Sequence, residues 1–309
     1  VKTAFVFSGQ GAQYLGMGKE FYDTYASARS IFDEASESLA LDLAEICFND
    51  EKKIHFTPYT QPAILTVSHA IATVMGEEGI HPDCSAGLSL GEYSALVASG
   101  AIGFKEAVRL VHKRGSLMEE AVPDGEGKMA AVIGLDAEAV ESICTTVTES
   151  NYVAVANYNT PSQLVLSGTA EGVEQAMKLA EERGAKRVVE LNVSGPFHSK
   201  LLEPAAQEFS EVLFQQTFNP LTIPVYSNVT ASAYPDSGAI SHLLTEQMTS
   251  SVRFEQMIRT MAEDGVERFI EVGPGKTLKS FIKAIDRSFK PSNVEKPSQL
   301  NKLLEKSSG

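Results

Sequence analysis

The sequence predicts an α/β protein with a mostly parallel sheet, interrupted by a small ferredoxin-like unit of βαββαβ order. Three observations carry this expectation. Strand-like runs at Thr3–Ser8, Asp83–Ala86, Thr222–Tyr226 and Glu267–Val272 alternate with helical patterns, the order that builds a parallel sheet. The stretch 127–194 instead reads strand, helix, strand, strand, helix, strand, the split motif of a ferredoxin-like unit. Finally, Gly87-Leu88-Ser89-Leu90-Gly91 spells G-x-S-x-G between a strand and a helix. That is the context of a nucleophile elbow, whose glycines let the backbone turn sharply under an exposed serine. A β-to-α turn with an N-capping serine fits the same five residues.

A chain of 309 residues, 43% hydrophobic and 21% charged, can bury a full core. Its net charge of -14 excludes the broad positive surface that nucleic acid or anionic membrane requires. No apolar run reaches the ~20 residues of a bilayer span, and Val1 to Phe5 leads into a strand rather than a signal peptide, so a cytoplasmic location is expected. Cys47, Cys84 and Cys144 lie far apart with no C-x-x-C, which argues against a disulfide framework or a zinc site; no metal is expected.

From the N-terminus, the first strand closes in Gly9-Gln10-Gly11-Ala12-Gln13. Tyr14 occupies the last position of a dinucleotide fingerprint, so the loop is read as one that aims backbone N–H groups into a site. Helical patterns follow from Met17 to Leu39 and from Pro58 to Met75, the latter with Ile64, Val67, Ile71 and Val74 at core spacing. His55, His69, His81, His112 and His242 are read as structural. In the helix expected from Lys105 to Val122, the apolar series Ala107, Val111, Met118, Ala121 includes Arg114. A guanidinium on an apolar stripe needs an anionic partner, either an internal carboxylate or that of a substrate.

Pro123 to Gly127 is a linker, which sets boundaries of 1–126 and 195–309 for the large domain and 127–194 for the small one. Strands are expected at Lys128–Gly134, Tyr152–Asn157, Gln163–Ser167 and Lys186–Val193, with helices at Ala137–Thr148 and Ala170–Arg183. Ser194-Gly195-Pro196-Phe197-His198 returns the chain to the large domain, and His198 stands on a Gly-Pro loop from which its ring can reach a cleft. Helices are expected at Leu201–Phe214, Val252–Ala262 and Lys276–Phe289. Gly275-Lys276-Thr277 resembles the end of a P-loop, but Ile270 stands where that loop needs its first glycine. From Pro291 onward the chain is polar and reads as a packed or frayed tail.

These residues resemble the malonyl-CoA:acyl carrier protein transacylases of bacterial fatty acid synthesis, relatives of polyketide synthase acyltransferase domains. The resemblance runs from about Thr3 to Phe289. It rests on F-S-G-Q-G-A-Q (7–13), Y-T-Q-P-A (59–63), G-L-S-L-G-E-Y-S-A (87–95), K-R-G at Arg114, N-Y-N-T-P (157–161), G-P-F-H-S (195–199) and E-V-G-P-G-K (271–276).

The resemblance implies an α/β-hydrolase-like large domain with a ferredoxin-like insertion. It implies Ser89 as nucleophile, His198 as its base, the N–H groups of Gln10 and Leu90 as oxyanion hole, and Arg114 as the seat of the malonyl carboxylate. Phe197 would crowd the pocket against an α-methyl group. A malonyl-serine intermediate, ping-pong kinetics, no cofactor beyond the CoA thioester substrate, malonyl-CoA and acyl carrier protein as partners, and a monomer follow as expectations. The family orients its histidine with a main-chain carbonyl, which is placed here in the loop from Ser250 to Arg253. Two positions depart from the family: Leu88 replaces the usual histidine before the nucleophile, and Ser251 replaces a frequent proline.

The competing readings are an acyltransferase of polyketide synthesis, a serine esterase or thioesterase, and a silent carrier-binding module. An acidic carrier meeting an acidic enzyme needs a local basic surface. Lys276, Lys279, Lys283, Arg287 and Lys290 are spaced for one helix face and form the candidate docking surface, with Lys186 and Arg187 bordering the same cleft; a solvated amphipathic face is the plainer reading.

Overall fold

The computed structural model describes residues 1–308. Strand β1 (Thr3–Phe7) is followed by four helices, α1 (Lys19–Thr24), α2 (Ala26–Leu39), α3 (Leu43–Phe48) and α4 (Glu51–Ile54), and by the long α5 (Thr57–Glu77). Strand β2 (Cys84–Gly87) turns into α6 (Gly91–Ala98), and α7 (Phe104–Glu119) ends the first segment. Two of the short helices were not legible by periodicity. They are marked instead by their caps, since the Asp42 and Asp50 carboxylates accept from the Glu45 and Lys53 N–H groups that open α3 and α4.

The small unit holds β3 (Gly127–Ile133), α8 (Ala137–Thr148), β4 (Val153–Thr160), β5 (Gln163–Thr169), α9 (Ala170–Glu182) and β6 (Arg187–Glu190). Its antiparallel sheet runs β4-β5-β3-β6, the ferredoxin-like order that the sequence pattern predicts. Side chains alternate across it with period two. Ala130 and Val132 join Leu164 and Leu166 under α8 and α9, while Met129 and Ala131 face a cleft on the other side.

The chain then forms α10 (Glu203–Gln215), α11 (Ile240–Gln247), α12 (Phe254–Glu263), β7 (Arg268–Val272), α13 (Thr277–Ile285), β8 (Ser292–Val294) and α14 (Pro297–Ser307). The large sheet is parallel throughout, in the order β2-β1-β7-β8. The strand expected at Thr222–Tyr226 reduces to one parallel bridge, Val225 beside Ser85, because Pro224 offers no N–H for a full ladder.

One further expectation is corrected. The helix expected from Lys276 to Phe289 stops at Ile285. Asp286 turns extended and caps a short 3-10 turn, Arg287–Phe289, so Arg287 and Lys290 leave the face of Lys276, Lys279 and Lys283. Of the packed or frayed tail expected from Pro291 onward, the packed reading holds: β8 pairs with β7, and α14 buries Leu300 and Leu303.

Candidate active site

The elbow geometry follows from close packing around its glycines. A Cβ on Gly91 would lie 2.1 Å from the Phe7 carbonyl oxygen, and one on Gly87 would lie 2.0 Å from the Gly91 carbonyl carbon. Only glycine lets β2 enter α6 this close to β1. Ser89 itself is left-handed, with φ 55°. Gly91→Ala is expected to destabilise the fold by about 3 kcal/mol or more, through overpacking against a backbone that cannot yield, and a thermal melt checks it.

Ser89 Oγ lies 2.7 Å from His198 Nε2, and His198 Nδ1 lies 2.8 Å from the Gln247 carbonyl oxygen. A carbonyl only accepts, so Nδ1 carries the proton and Nε2 is left to accept from the serine. The orienting carbonyl therefore belongs to Gln247, the last residue of α11, which corrects the expectation of the Ser250–Arg253 loop; the Ser250 carbonyl acts on the ring in the same direction. Burial, with the Arg114 charge nearby, pushes the His198 imidazole down to about 4. The ring is thus neutral, and able to take a proton, at neutral pH.

Ser251 fixes its loop without a proline. Its hydroxyl donates to the Val155 carbonyl at 2.6 Å, and Val252 N–H donates to Ala156, so β4 holds the segment that follows α11.

Arg114 is 1% exposed and reaches the same hydroxyl. Its Nη2 donates to Ser89 Oγ at 3.2 Å and to Gln247 Oε1 at 2.9 Å, and its Nη1 donates to Gln61 Oε1 at 2.8 Å. Its charge also lies over the Tyr93 ring, 5.3 Å from the centroid. Gly115 explains how α7 brings it there: a Cβ at that position would sit 2.8 Å from the Thr57 carbonyl, so the glycine lets α7 close onto the start of α5 and Gln61. Among the described residues no carboxylate pairs with this guanidinium, and its Nε has no partner. A buried cation whose hydrogen bonds all go to neutral groups, with Glu92 acting on it only at longer range, is poised for an anion from outside.

Ser89 and His198 line a cleft of about 280 Å³ between the two sheets, with Gln10, Met118, Ala131, Val165 and Phe197 among the walls. Phe197, with its ring against Gly195, narrows the cleft beside the histidine. Leu88 also lines it while packing on the apolar cluster of the large sheet, so its side chain fills space beside the nucleophile with an apolar group. The Gln10 and Leu90 N–H groups donate to no protein acceptor among the described residues. Their loops are pressed together, since a Cβ on Gly9 would lie 2.1 Å from the Leu88 carbonyl oxygen.

Of the basic residues, Lys276 and Lys283 are exposed and Lys279 is half-buried, its N–H donating to Glu271 at 2.8 Å. Thr277, Leu278 and Phe281 of the same helix line the cleft. Lys186 and Arg187 are exposed at the edge strand β6 and do not line it. No cluster of metal-ligating side chains occurs among the described residues, and no helix among them is long and apolar enough to cross a membrane. Gln61, Glu92, Asn228 and Gln247 escaped assignment from sequence, although Gln61 and Glu92 lie within the stretches that carry the resemblance.

The class to which this fold belongs is the acyl transferase: residues 4–299 match the family model described as acyl transferase domain. The chain is 48% identical to the malonyl CoA-acyl carrier protein transacylase of Bacillus subtilis, over 98% of this chain and 96% of that one. The crystal structure of the Clostridium perfringens enzyme of the same name superposes with a TM-score of 0.96 at 44% identity, covering 100% of this chain and 98% of that one. A malonyl-transacylase in complex with the acyl-carrier protein of a type II polyketide synthase also superposes with a TM-score of 0.96, at 39% identity over 99% and 100% of the two chains. The chain belongs to the malonyl CoA-acyl carrier protein transacylase family.

Proposed function

We infer that this chain is a malonyl-CoA:acyl carrier protein S-malonyltransferase that works through a malonyl-Ser89 intermediate and supplies fatty acid synthesis. The observation that carries the reading is the buried Arg114, which pairs with no protein anion among the described residues and sits at the hydroxyl of a serine–histidine pair. A thioesterase would have no use for that cation. His198 takes the Ser89 proton as Oγ attacks the thioester carbonyl, and the N–H groups of Gln10 and Leu90 hold the oxyanion. Collapse expels the CoA thiolate, which His198 protonates. The phosphopantetheine thiol of the carrier protein then enters and reverses the steps.

The malonyl carboxylate lies on Arg114 in place of the serine contact, and Phe197 excludes an α-methyl group. No cofactor enters these steps, and a cytoplasmic monomer is the form in which the enzyme is expected to act. The large domain is assigned to 1–126 and 195–309 and the small one to 127–194, supported by the separate sheet and apolar cluster of the latter. Incubation with radiolabelled malonyl-CoA is expected to label Ser89 and release free CoA thiol, and added carrier protein is expected to remove the label. A label lost to water at the same rate without carrier protein would make the chain a thioesterase.

Carrier docking is assigned to the exposed side of α13, supported by Lys276, Lys279 and Lys283 standing beside the cleft-lining Thr277, Leu278 and Phe281. Lys186 and Arg187 gain no support from the cleft lining and remain outer contributors at most. The paired change Lys276→Glu and Lys283→Glu is expected to slow malonyl transfer to carrier protein on the order of 10-fold at low ionic strength, less in salt, and to leave transfer to free pantetheine unchanged. Equal rates with carrier protein at low salt would return this face to plain solvation.

A further inference from the structure

We propose that Glu92 is a positioning residue: its buried carboxylate fixes, through Asn228 and Gln247, both peptide groups of Ser89 and the seat of Arg114. This inference rests on the malonyl-transfer reading above. Glu92 follows Gly91 on α6 and is completely buried beneath the nucleophile, away from the cleft lining. All its hydrogen-bond partners are donors. Asn228 N–H donates to Oε1 at 2.7 Å, Gln247 Nε2 donates to the same oxygen at 3.3 Å, and the Tyr234 hydroxyl donates to Oε2.

An ionised carboxylate can only accept, so it decides which way the neighbouring amide points. With Gln247 Nε2 turned toward Glu92, that nitrogen also donates to the Ser89 carbonyl at 3.0 Å, and Oε1 is left to receive Arg114. With its main chain tied to Glu92, Asn228 presents Oδ1 to Ser89 N–H at 2.7 Å and donates from Nδ2 to the Gly87 carbonyl at 2.6 Å. The N–H and the C=O of a left-handed serine are thereby both held from one anion. Gln247 adds the carbonyl that orients His198, so the same anchor reaches nucleophile, base and guanidinium.

Protonation would disturb this arrangement, because the acid proton either reverses the Tyr234 contact or faces Asn228 N–H and Gln247 Nε2, which can only donate. Burial pushes the Glu92 carboxyl up to about 7, against the pull of Tyr234, Asn228, Gln247 and the Arg114 charge. The ionisable or charged groups facing it are Tyr93 on its own helix, Tyr234 on the loop before α11, and Arg114 on α7. Both phenols are pushed up by burial. Burial pulls the Arg114 guanidinium down, but a guanidinium keeps its proton in proteins. His198, across Gln247, is held down near 4. Glu271, in the cleft wall, is also pushed up to about 7 by burial, so a limb between pH 8 and 6 is assigned to Glu92 by the Glu92 and Tyr234 variants, neither of which touches Glu271.

The test is the pH profile of Ser89 malonylation, read by mass spectrometry with malonyl-pantetheine, a donor with no phosphate to titrate. In the parent the rate is expected to fall as pH drops through about 7. Glu92→Gln, nearly isosteric but able to donate as well as accept, is expected to lower the rate at pH 8 on the order of 10²-fold and to erase that limb. Tyr234→Phe removes one donor from the carboxylate and is expected to move the limb upward by about one pH unit, a result that does not depend on Glu92→Gln folding. A limb that stays in Glu92→Gln, or one that Tyr234→Phe leaves in place, would overturn the assignment of Glu92. A parent that forms no Ser89 adduct at any pH would instead overturn the malonyl-transfer reading, and this inference with it.

Discussion

Ser89→Ala is expected to abolish the covalent malonyl adduct, and His198→Ala to slow its formation by at least ~10²-fold, with the folded state retained in both. The serine change removes the hydroxyl that lies 2.7 Å from His198 Nε2. The histidine change removes the neutral imidazole that takes the proton, while the Arg114 donor and the free N–H groups stay in place, so a residual rate is expected. Intact-mass measurement after incubation with malonyl-CoA reads both outcomes. A malonyl adduct on the Ser89→Ala protein would place the nucleophile elsewhere.

Arg114→Ala is expected to remove malonyl-CoA as a donor while acetyl-CoA is kept or gained. Truncating one partner of a desolvated, hydrogen-bonded charge pair costs about 2 to 5 kcal/mol, and that loss falls on the donor that carries a carboxylate. The acetyl group brings no anion to the site, and removing the buried cation leaves Gln61 and Gln247 to close over a neutral space. Arg114→Lys is also expected to be poor, since an ammonium cannot span Gln61, Gln247 and a carboxylate from one planar fork. Rates of Ser89 acylation with the two donors separate the cases. An equal fall for malonyl and acetyl transfer, with unchanged melting, would make Arg114 a structural cation.

The sequence by itself determined the fold class and the order of the small unit, and it marked Ser89, Arg114 and His198 as candidates whose roles came from the resemblance. Each of these is written in local pattern. Strand-like runs marked β3 and β5, the steps from Ala107 to Ala121 placed Arg114 on the buried face of its helix, and the glycines flanking Ser89 marked the turn. Short elements were not legible, because α3, α4, α11 and β8 span too few residues for a period to declare itself.

Only the tertiary structure decided what Arg114 faces, which carbonyl orients His198 and how Ser89 is held. Those contacts join α5, α6, α7 and α11 with the loops carrying His198 and Asn228, residues far apart in the chain, and Gln61, Glu92, Asn228 and Gln247 look like ordinary polar positions in their own segments. What sets their roles is burial beside the hydroxyl. Once water is excluded, donors there depend on the few acceptors within reach, and a buried cation that pairs with no protein anion among the described residues stands out as the place for an anion from outside.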